Sequence, residues 1–226
     1  MKFSFSHFAF LGFGLLFWNC SSGSQENSDL PYLGNKHTEN VPEIDSVSLD
    51  TLLKVDTVYH KIAPFSFFNQ NGKAITNKEV EGRVYVADFF FTSCPTICPV
   101  MKKQMLRVYE KFKHDPDFRI LSHSIDPTYD TVALLKDYSL RLGVEDDATW
   151  HFLTGDQEKI FEIGQTSYLT TAMEDKNEPG GLLHSGAFVL IDREGHIRGV
   201  YDGTKEEQVN RLIVDIPKLL NQNNAF

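Results

Sequence analysis

The run Val84-Tyr85-Val86-Ala87-Asp88-Phe89-Phe90-Phe91 constrains the fold more than any other part of this chain. It lacks the alternation of a strand that faces water on one side, so it predicts a central strand covered on both faces. Covering both faces requires layers above and below a sheet, the architecture of an α/β domain. Pro99 to about His114 reads as a helix whose Met101, Met105, Val108 and Phe112 fall at i, i+4, i+7 and i+11 on one face. Phe118 to Ile125 then reads as a second strand, and the long crossover between the two implies a parallel pair.

Upstream, Ile62 to Phe68 reads as a strand, Asn69-Gln70-Asn71-Gly72-Lys73 as a turn, and the residues after it as the start of another strand. Downstream, Thr131 to Leu142 predicts a helix capped by Asp130, and Gln157 to Ser167 a third helix. Ala187 to Asp192 and Ile197 to Tyr201 form an antiparallel hairpin about the turn Asp192-Arg193-Glu194-Gly195. A closing helix starts at Thr204, where Thr204 and Glu207 have capping-box spacing, and buries Val209, Leu212, Ile213, Ile216 and Leu219. Pro217 is expected to kink or end it. The predicted fold is thus one α/β domain over residues 61–226, thioredoxin-like in element order. A central mixed sheet is flanked by helices, with an N-terminal strand or hairpin extension.

With 226 residues, of which 41% are hydrophobic, the chain has room for one domain plus extensions. Its 22 Lys and Arg against 31 Asp and Glu give a net charge of -9 with no basic run, which argues against nucleic-acid binding. Three cysteines are too few for a disulfide-stapled scaffold. Residues 1–19 carry one early charge, Lys2, and an apolar stretch from Phe8 to Trp18 that is short for a membrane span and reads as a signal-peptide core. The stretch stops at Cys20, before Ser21-Ser22-Gly23-Ser24, so Cys20 resembles the lipid-modified first residue of a bacterial lipoprotein. Phe17, Trp18 and Asn19 precede it where small residues are usual, and an uncleaved short anchor is the other reading. From there to residue 60 the chain is polar and acidic and reads as a tether, with a short edge strand formed from Val47, Leu49, Leu52, Val55 and Val58 near its end. This places the protein in the cell envelope, lipid-anchored on the periplasmic side of a bacterial membrane.

The chemistry lies in Thr92-Ser93-Cys94-Pro95-Thr96-Ile97-Cys98-Pro99, between the buried strand and the first helix. Unpaired N–H groups and the helix dipole there favour a thiolate over a thiol. Positions i and i+4 share one face of a helical turn, so the two sulfurs can meet in a disulfide or hold one metal ion together. Two prolines framing the pair at a strand end argue against inert core cysteines. Cys94 and Cys98 are therefore a candidate redox-active pair and candidate metal ligands.

Phe91-Thr92-Ser93-Cys94-Pro95-Thr96-Ile97-Cys98-Pro99 also resembles the signature of the Sco/SenC family of copper-binding assembly proteins. Three further segments resemble that family in the right order: Ser124 to Thr131, Trp150 to Gly155 and His184 to Asp192. The resemblance spans roughly residues 61–216. In that family both cysteines of the motif and a distal histidine bind one copper ion, which implies Cys94, Cys98 and His184 here. It further implies a chaperone that delivers copper, as Cu+ or Cu2+, to the binuclear copper centre of cytochrome c oxidase subunit II or to another cuproprotein. Reduction of that centre's cysteines, and a thiol reductant partner, belong to the same implication. The family commonly has Asp where Thr96 stands and often an acidic residue where Leu183 stands. Neither is a ligand in the family pattern, so these departures concern tuning and partner contacts.

The donor set supports the same reading, since two thiolates and an imidazole suit monovalent copper and can also hold the divalent ion. Zinc is the rival metal, because two cysteines and a histidine also form zinc sites. A plain extracytoplasmic thiol-disulfide oxidoreductase is the second functional class. Against it stand the C-x-x-x-C spacing in place of C-x-x-C, and Gly186 where such enzymes carry a proline. A peroxiredoxin requires Thr or Ser three residues before its reactive cysteine, and Phe91 is there. His123 reads as a strand residue, His151 as a loop residue, Met101 and Met105 as core. Asp126 and Asp130 read as turn and cap. Asp88, inside the apolar run, requires a partner or a raised pKa.

Overall fold

The apolar run forms a strand over Val84–Phe90, β5 in chain order, and all of its residues are buried. In the computed structural model, which describes residues 30–42, 53–145, 148–175 and 181–222, this strand is the middle of a five-stranded sheet. β6 (Phe118–Ser124) lies parallel beside it, and β7 (Trp150–Leu153) lies parallel to β6. On the other side β10 (Ala187–Ile191) runs antiparallel to β5, and β11 (Ile197–Asp202) pairs antiparallel with β10. The sheet is therefore mixed, with the parallel pair that the crossover predicts and the antiparallel hairpin that the Asp192–Gly195 turn predicts.

Alternation along β5 divides the core between two layers. Asp88 and Phe90 face α2 (Cys98–Phe112), whose Lys102 reaches both, and Tyr138 of α3 (Val132–Arg141) stacks on Phe90. Tyr85 and Phe89 face Tyr168 on the opposite side. That second layer holds the hairpin of β3 (Ser66–Phe68) and β4 (Ala74–Thr76), followed by the single turn α1 (Asn77–Val80). Gly72, at φ +72°, makes the hairpin turn. The same layer holds α4 (Gln157–Glu162), whose helix passes into a π-turn at Ile163–Ser167 instead of continuing as one α-helix. The closing helix, α5 (Glu206–Leu220), packs on β11, β5 and α2.

Several local expectations are corrected. Thr131, not Asp130, caps α3, accepting from the Leu134 N–H. Lys205 precedes α5, and the Thr204 hydroxyl turns back to Asp202 rather than closing a capping box. Pro217 neither ends nor interrupts α5, which runs on to Leu220; so close to the C-terminus it forfeits a single i→i−4 bond. His151 lies in β7 rather than in a loop.

Within the stretch read as tether, β1 (Lys36–Pro42) and β2 (Leu53–Tyr59) pair as an antiparallel ladder. Leu30 and Leu33 also pack on the core, and Leu33 N–H donates to Ile197 O at 2.8 Å. Arg198 holds this segment: it donates to the carbonyls of Leu30 and Pro31, lies 4.0 Å from the Tyr32 ring centre and pairs with Asp192. Backbone pairing and one arginine order a segment whose side chains are mostly polar. Residues 1–29, with Cys20, and residues 43–52 lie outside the described residues.

Gly203 ties the end of β11 to the segment after His184, donating to Gly186 O at 2.7 Å. A Cβ on Gly203 would stand 2.6 Å from the buried Phe188 ring. Gly203→Ala should cost about 1–3 kcal/mol through overpacking, read as a lower urea midpoint at unchanged m-value.

Candidate metal centre

β5 ends at Phe90, and the chain leaves the sheet before α2 begins at Cys98. Cys94 therefore stands in a loop while Cys98 is the first residue of the helix; the two do not share the helical turn that their spacing predicts. The loop is clamped from below. The buried Asp130 carboxylate accepts from the Thr92 N–H at 3.0 Å, from the Thr92 hydroxyl and from the Ser124 hydroxyl. Cys94 N–H donates to Phe91 O at 3.2 Å.

The third member arrives from β9 (Leu182–His184), which pairs with β8 (Ala172–Glu174) in a small sheet of its own. His184 is the last residue of this strand. One ligand atom each from Cys94, Cys98 and His184 lies within 4.8 Å of the other two, and all three residues are buried. His184 Nε2 is 3.2 Å from Cys98 Sγ, and Nδ1 is 3.1 Å from the Ser185 carbonyl oxygen. A carbonyl only accepts, so Nδ1 carries the proton and Nε2 directs its lone pair at the sulfurs.

The two thiols differ in environment. Burial works to raise the Cys94 pKa, but hydrogen bonds from the Thr96 hydroxyl, 3.5 Å away, and from the N–H groups of Thr96 and Cys98 bring it below the ordinary thiol value. Burial pushes Cys98 up to about 12. Burial also lowers the His184 pKa, against the Ser185 hydrogen bond, and keeps the imidazole neutral as a ligand must be.

Sequence reasoning missed three contributors. Thr96, seen only as a departure, supplies a hydroxyl to Cys94. Asp130 clamps the loop instead of capping a helix. Lys102 is the partner that Asp88 requires: its Nζ lies 2.7 Å from Asp88 Oδ2 and 3.0 Å from Ser122 Oγ, with both charges buried. Ser122 donates to Asp88 in turn and accepts from Trp150 Nε1 at 2.9 Å. A lone lysine on the Met101–Met105 face of α2, opposite a lone carboxylate in β5, was the available signal.

The family model described as SCO1/SenC matches residues 55–221. The chain belongs to the SCO1/SenC family. A SCO1/SenC family lipoprotein from Bacillus anthracis is 32% identical with a TM-score of 0.65, covering 72% of this chain and 96% of that one. BsSco, described with a disulfide switch as a member of the Sco family of cytochrome c oxidase assembly proteins, is 31% identical with a TM-score of 0.64, covering 73% and 95%. ScoI of Bradyrhizobium japonicum, solved with copper bound, is 26% identical with a TM-score of 0.57, covering 70% and 98%. The thioredoxin-like α/β fold read from the sequence is thus the fold of the SCO1/SenC family.

Among the described residues of this SCO1/SenC chain, Cys94, Cys98 and His184 are the one cluster of His, Cys, Asp or Glu placed to hold a metal ion, and no other histidine joins it. Met101 and Met105 are wholly buried in the core. His151 Nδ1 sits 3.4 Å from the Asn69 amide. His123 is enclosed by Phe65, Phe67, Phe89 and Tyr168, with no hydrogen-bond partner on either ring nitrogen.

Burial lowers the His123 pKa from 6.5 to about 3. Between those values the unfolded chain binds a proton that the folded chain does not, so this residue makes stability fall with falling pH, by about 1.4 kcal/mol per unit. His123→Leu should remove that slope, and urea unfolding at a series of pH values from 6 to 4 measures it. Equal pH slopes for parent and variant would show that His123 is not held neutral.

Proposed function

We propose that this SCO1/SenC protein is a copper chaperone that binds one copper ion per chain through Cys94, Cys98 and His184. In this reading it delivers copper to the binuclear copper centre of cytochrome c oxidase, on subunit II, or to another cuproprotein. The observation that carries the proposal is the convergence of two buried sulfurs and an oriented, neutral imidazole within 4.8 Å. Two soft thiolates with one borderline nitrogen favour copper, and the copper-bound relative supports that choice over zinc. Single alanine variants of the three residues, titrated with Cu+ and Cu2+, provide the test. Each should lose at least tenfold in affinity for at least one copper state, and His184→Ala binding both states as tightly as the parent would remove the third ligand. A preference for zinc in competition would overturn the function.

The same sulfurs support a second, redox use. A disulfide between Cys94 and Cys98 leaves no thiolate for metal, so oxidation and copper binding compete. The unlike thiols, one lowered and one raised, and the disulfide switch of BsSco support this reading. A thiol reductant partner would then keep the pair reduced in an oxidising compartment. Reduced protein should take up copper, diamide-oxidised protein should fail to, and copper should protect both thiols from alkylation. Equal binding by both forms would return the plain oxidoreductase reading to first place.

We also propose that residues 1–19 are a signal peptide and that the mature chain begins at an acylated Cys20. It would then be tethered in the cell envelope with the domain on the periplasmic side. The abrupt stop of the apolar stretch and the lipoprotein relative support this. No helix among the described residues is long and apolar enough to cross a membrane. Mass spectrometry of the mature N-terminus should find diacylglycerol on Cys20, and an unmodified Cys20 or a different start would overturn the anchor.

A further inference from the structure

The Asp88–Lys102 pair is not a surface ornament of the fold. It is buried on both sides and lies within the layer that carries the metal centre. Lys102 follows Cys98 by one helical turn on α2 and shares with Cys94, Cys98 and Tyr138 the wall of a cavity of about 320 Å³, whereas Asp88 does not line it. Lys102 is thus the member of the pair that shares a wall with the sulfurs. Its position is fixed by three contacts: the Asp88 carboxylate, the Ser122 hydroxyl and the face of Phe90, whose ring centre is 4.0 Å from Nζ. Ser122 is in turn held by Trp150, so the whole group has little freedom to reorganise.

A fixed charge acts differently on the two copper states. Two thiolates and a neutral imidazole around Cu2+ carry no net charge; one added electron makes the same set around Cu+ carry −1, with no bond made or broken. A buried cation beside the sulfurs lowers the energy of the −1 state relative to the neutral one, because a low-dielectric interior screens it poorly. The carboxylate of Asp88 offsets part of this, and at His184 its influence exceeds that of Lys102; the cation acts from the side of the sulfurs, through the wall it shares with Cys94 and Cys98. The effect of Lys102 on Cys98 has the matching sign, pulling that thiol's pKa down against burial.

Resting on the copper reading, we propose that Lys102, positioned by Asp88 and Ser122, is an oxidation-state-determining residue that biases the bound copper toward Cu+. The alternative is that the pair only holds α2 to the sheet. Replacing a buried ion pair by neutral groups of similar volume usually leaves a protein folded, whereas removing one partner strands a charge. The principal variant is therefore Asp88→Asn with Lys102→Met, and Lys102→Gln, which keeps a donor toward Asp88, is the second. Lys102→Arg retains the charge.

The measurements are the dissociation constants for Cu+ and for Cu2+ of each purified, reduced protein, together with the one-electron potential of its copper complex in a mediated titration. Circular dichroism and thermal midpoints report the fold. The neutral pair should lower the affinity for Cu+ relative to Cu2+ at least tenfold, which is a fall of about 59 mV in the one-electron potential. Lys102→Gln should lower it further, since the carboxylate is left alone, and Lys102→Arg should stay within about threefold of the parent, roughly 0.6 kcal/mol. An unchanged ratio in the folded neutral pair overturns the inference while leaving the copper reading intact. If the neutral pair does not fold, an unchanged ratio in Lys102→Gln overturns it equally. A parent that binds neither copper state overturns both.

Discussion

Burial of β5 on both faces is the constraint from which the rest of the structure follows. An all-buried strand needs a layer on each side, and the alternation of its side chains decides what each layer meets. On one side stand aromatic rings that enclose Tyr168 and His123; on the other stand Phe90 and Asp88, facing α2. A carboxylate in that position is tolerable only if the opposing helix brings a cation and a hydroxyl is close enough to complete the shell, and Lys102 and Ser122 do so. The same burial determines where the strand can end. It stops as it leaves the core, and the residues that follow must turn over the sheet edge into α2.

That turn is where the chemistry is assembled. The three donors come from a loop, a helix start and the end of a separate short strand, so their proximity depends on how three segments are held rather than on any local turn. Asp130 holds the loop through Thr92, and the Ser185 carbonyl sets the orientation of the imidazole. Donors held in advance by such contacts lose little freedom on taking up a metal ion. Burial then gives the pair of sulfurs unequal character and keeps the histidine neutral, which suits a centre that must alternate between holding an ion and releasing it.

Much of this was legible in the sequence because the signals were local. The unbroken run from Val84 to Phe91, the apolar stripe on α2, and the Asp192–Gly195 turn each carry their own periodicity or turn chemistry, and the corresponding elements appear within a residue or two. The cysteine pair announced itself by its place between a buried strand and a helix. Two of the misjudged residues have side chains with two plausible partners. Asp130 could cap α3 or reach back to Thr92, and Thr204 could close a box with Glu207 or bond Asp202; spacing along the chain does not rank such alternatives. In the polar stretch before residue 60 the apolar residues up to Val58 marked the strand β2, whereas its partner β1 (Lys36–Pro42) left little mark, since backbone pairing hardly shows in composition.

The sequence by itself determined the α/β layering, the parallel crossover and the identity of the two sulfurs, because hydrophobic periodicity and residue type are properties of short segments. Only the tertiary structure decided that Cys94 lies off the helix, that His184 arrives from a different small sheet with its Nε2 turned inward, and that Lys102 answers Asp88. The last two of those facts join residues 86 and 14 positions apart. At such separations the partner is chosen by packing and by the requirement that buried polar groups be satisfied, and neither is written in any one stretch of the chain.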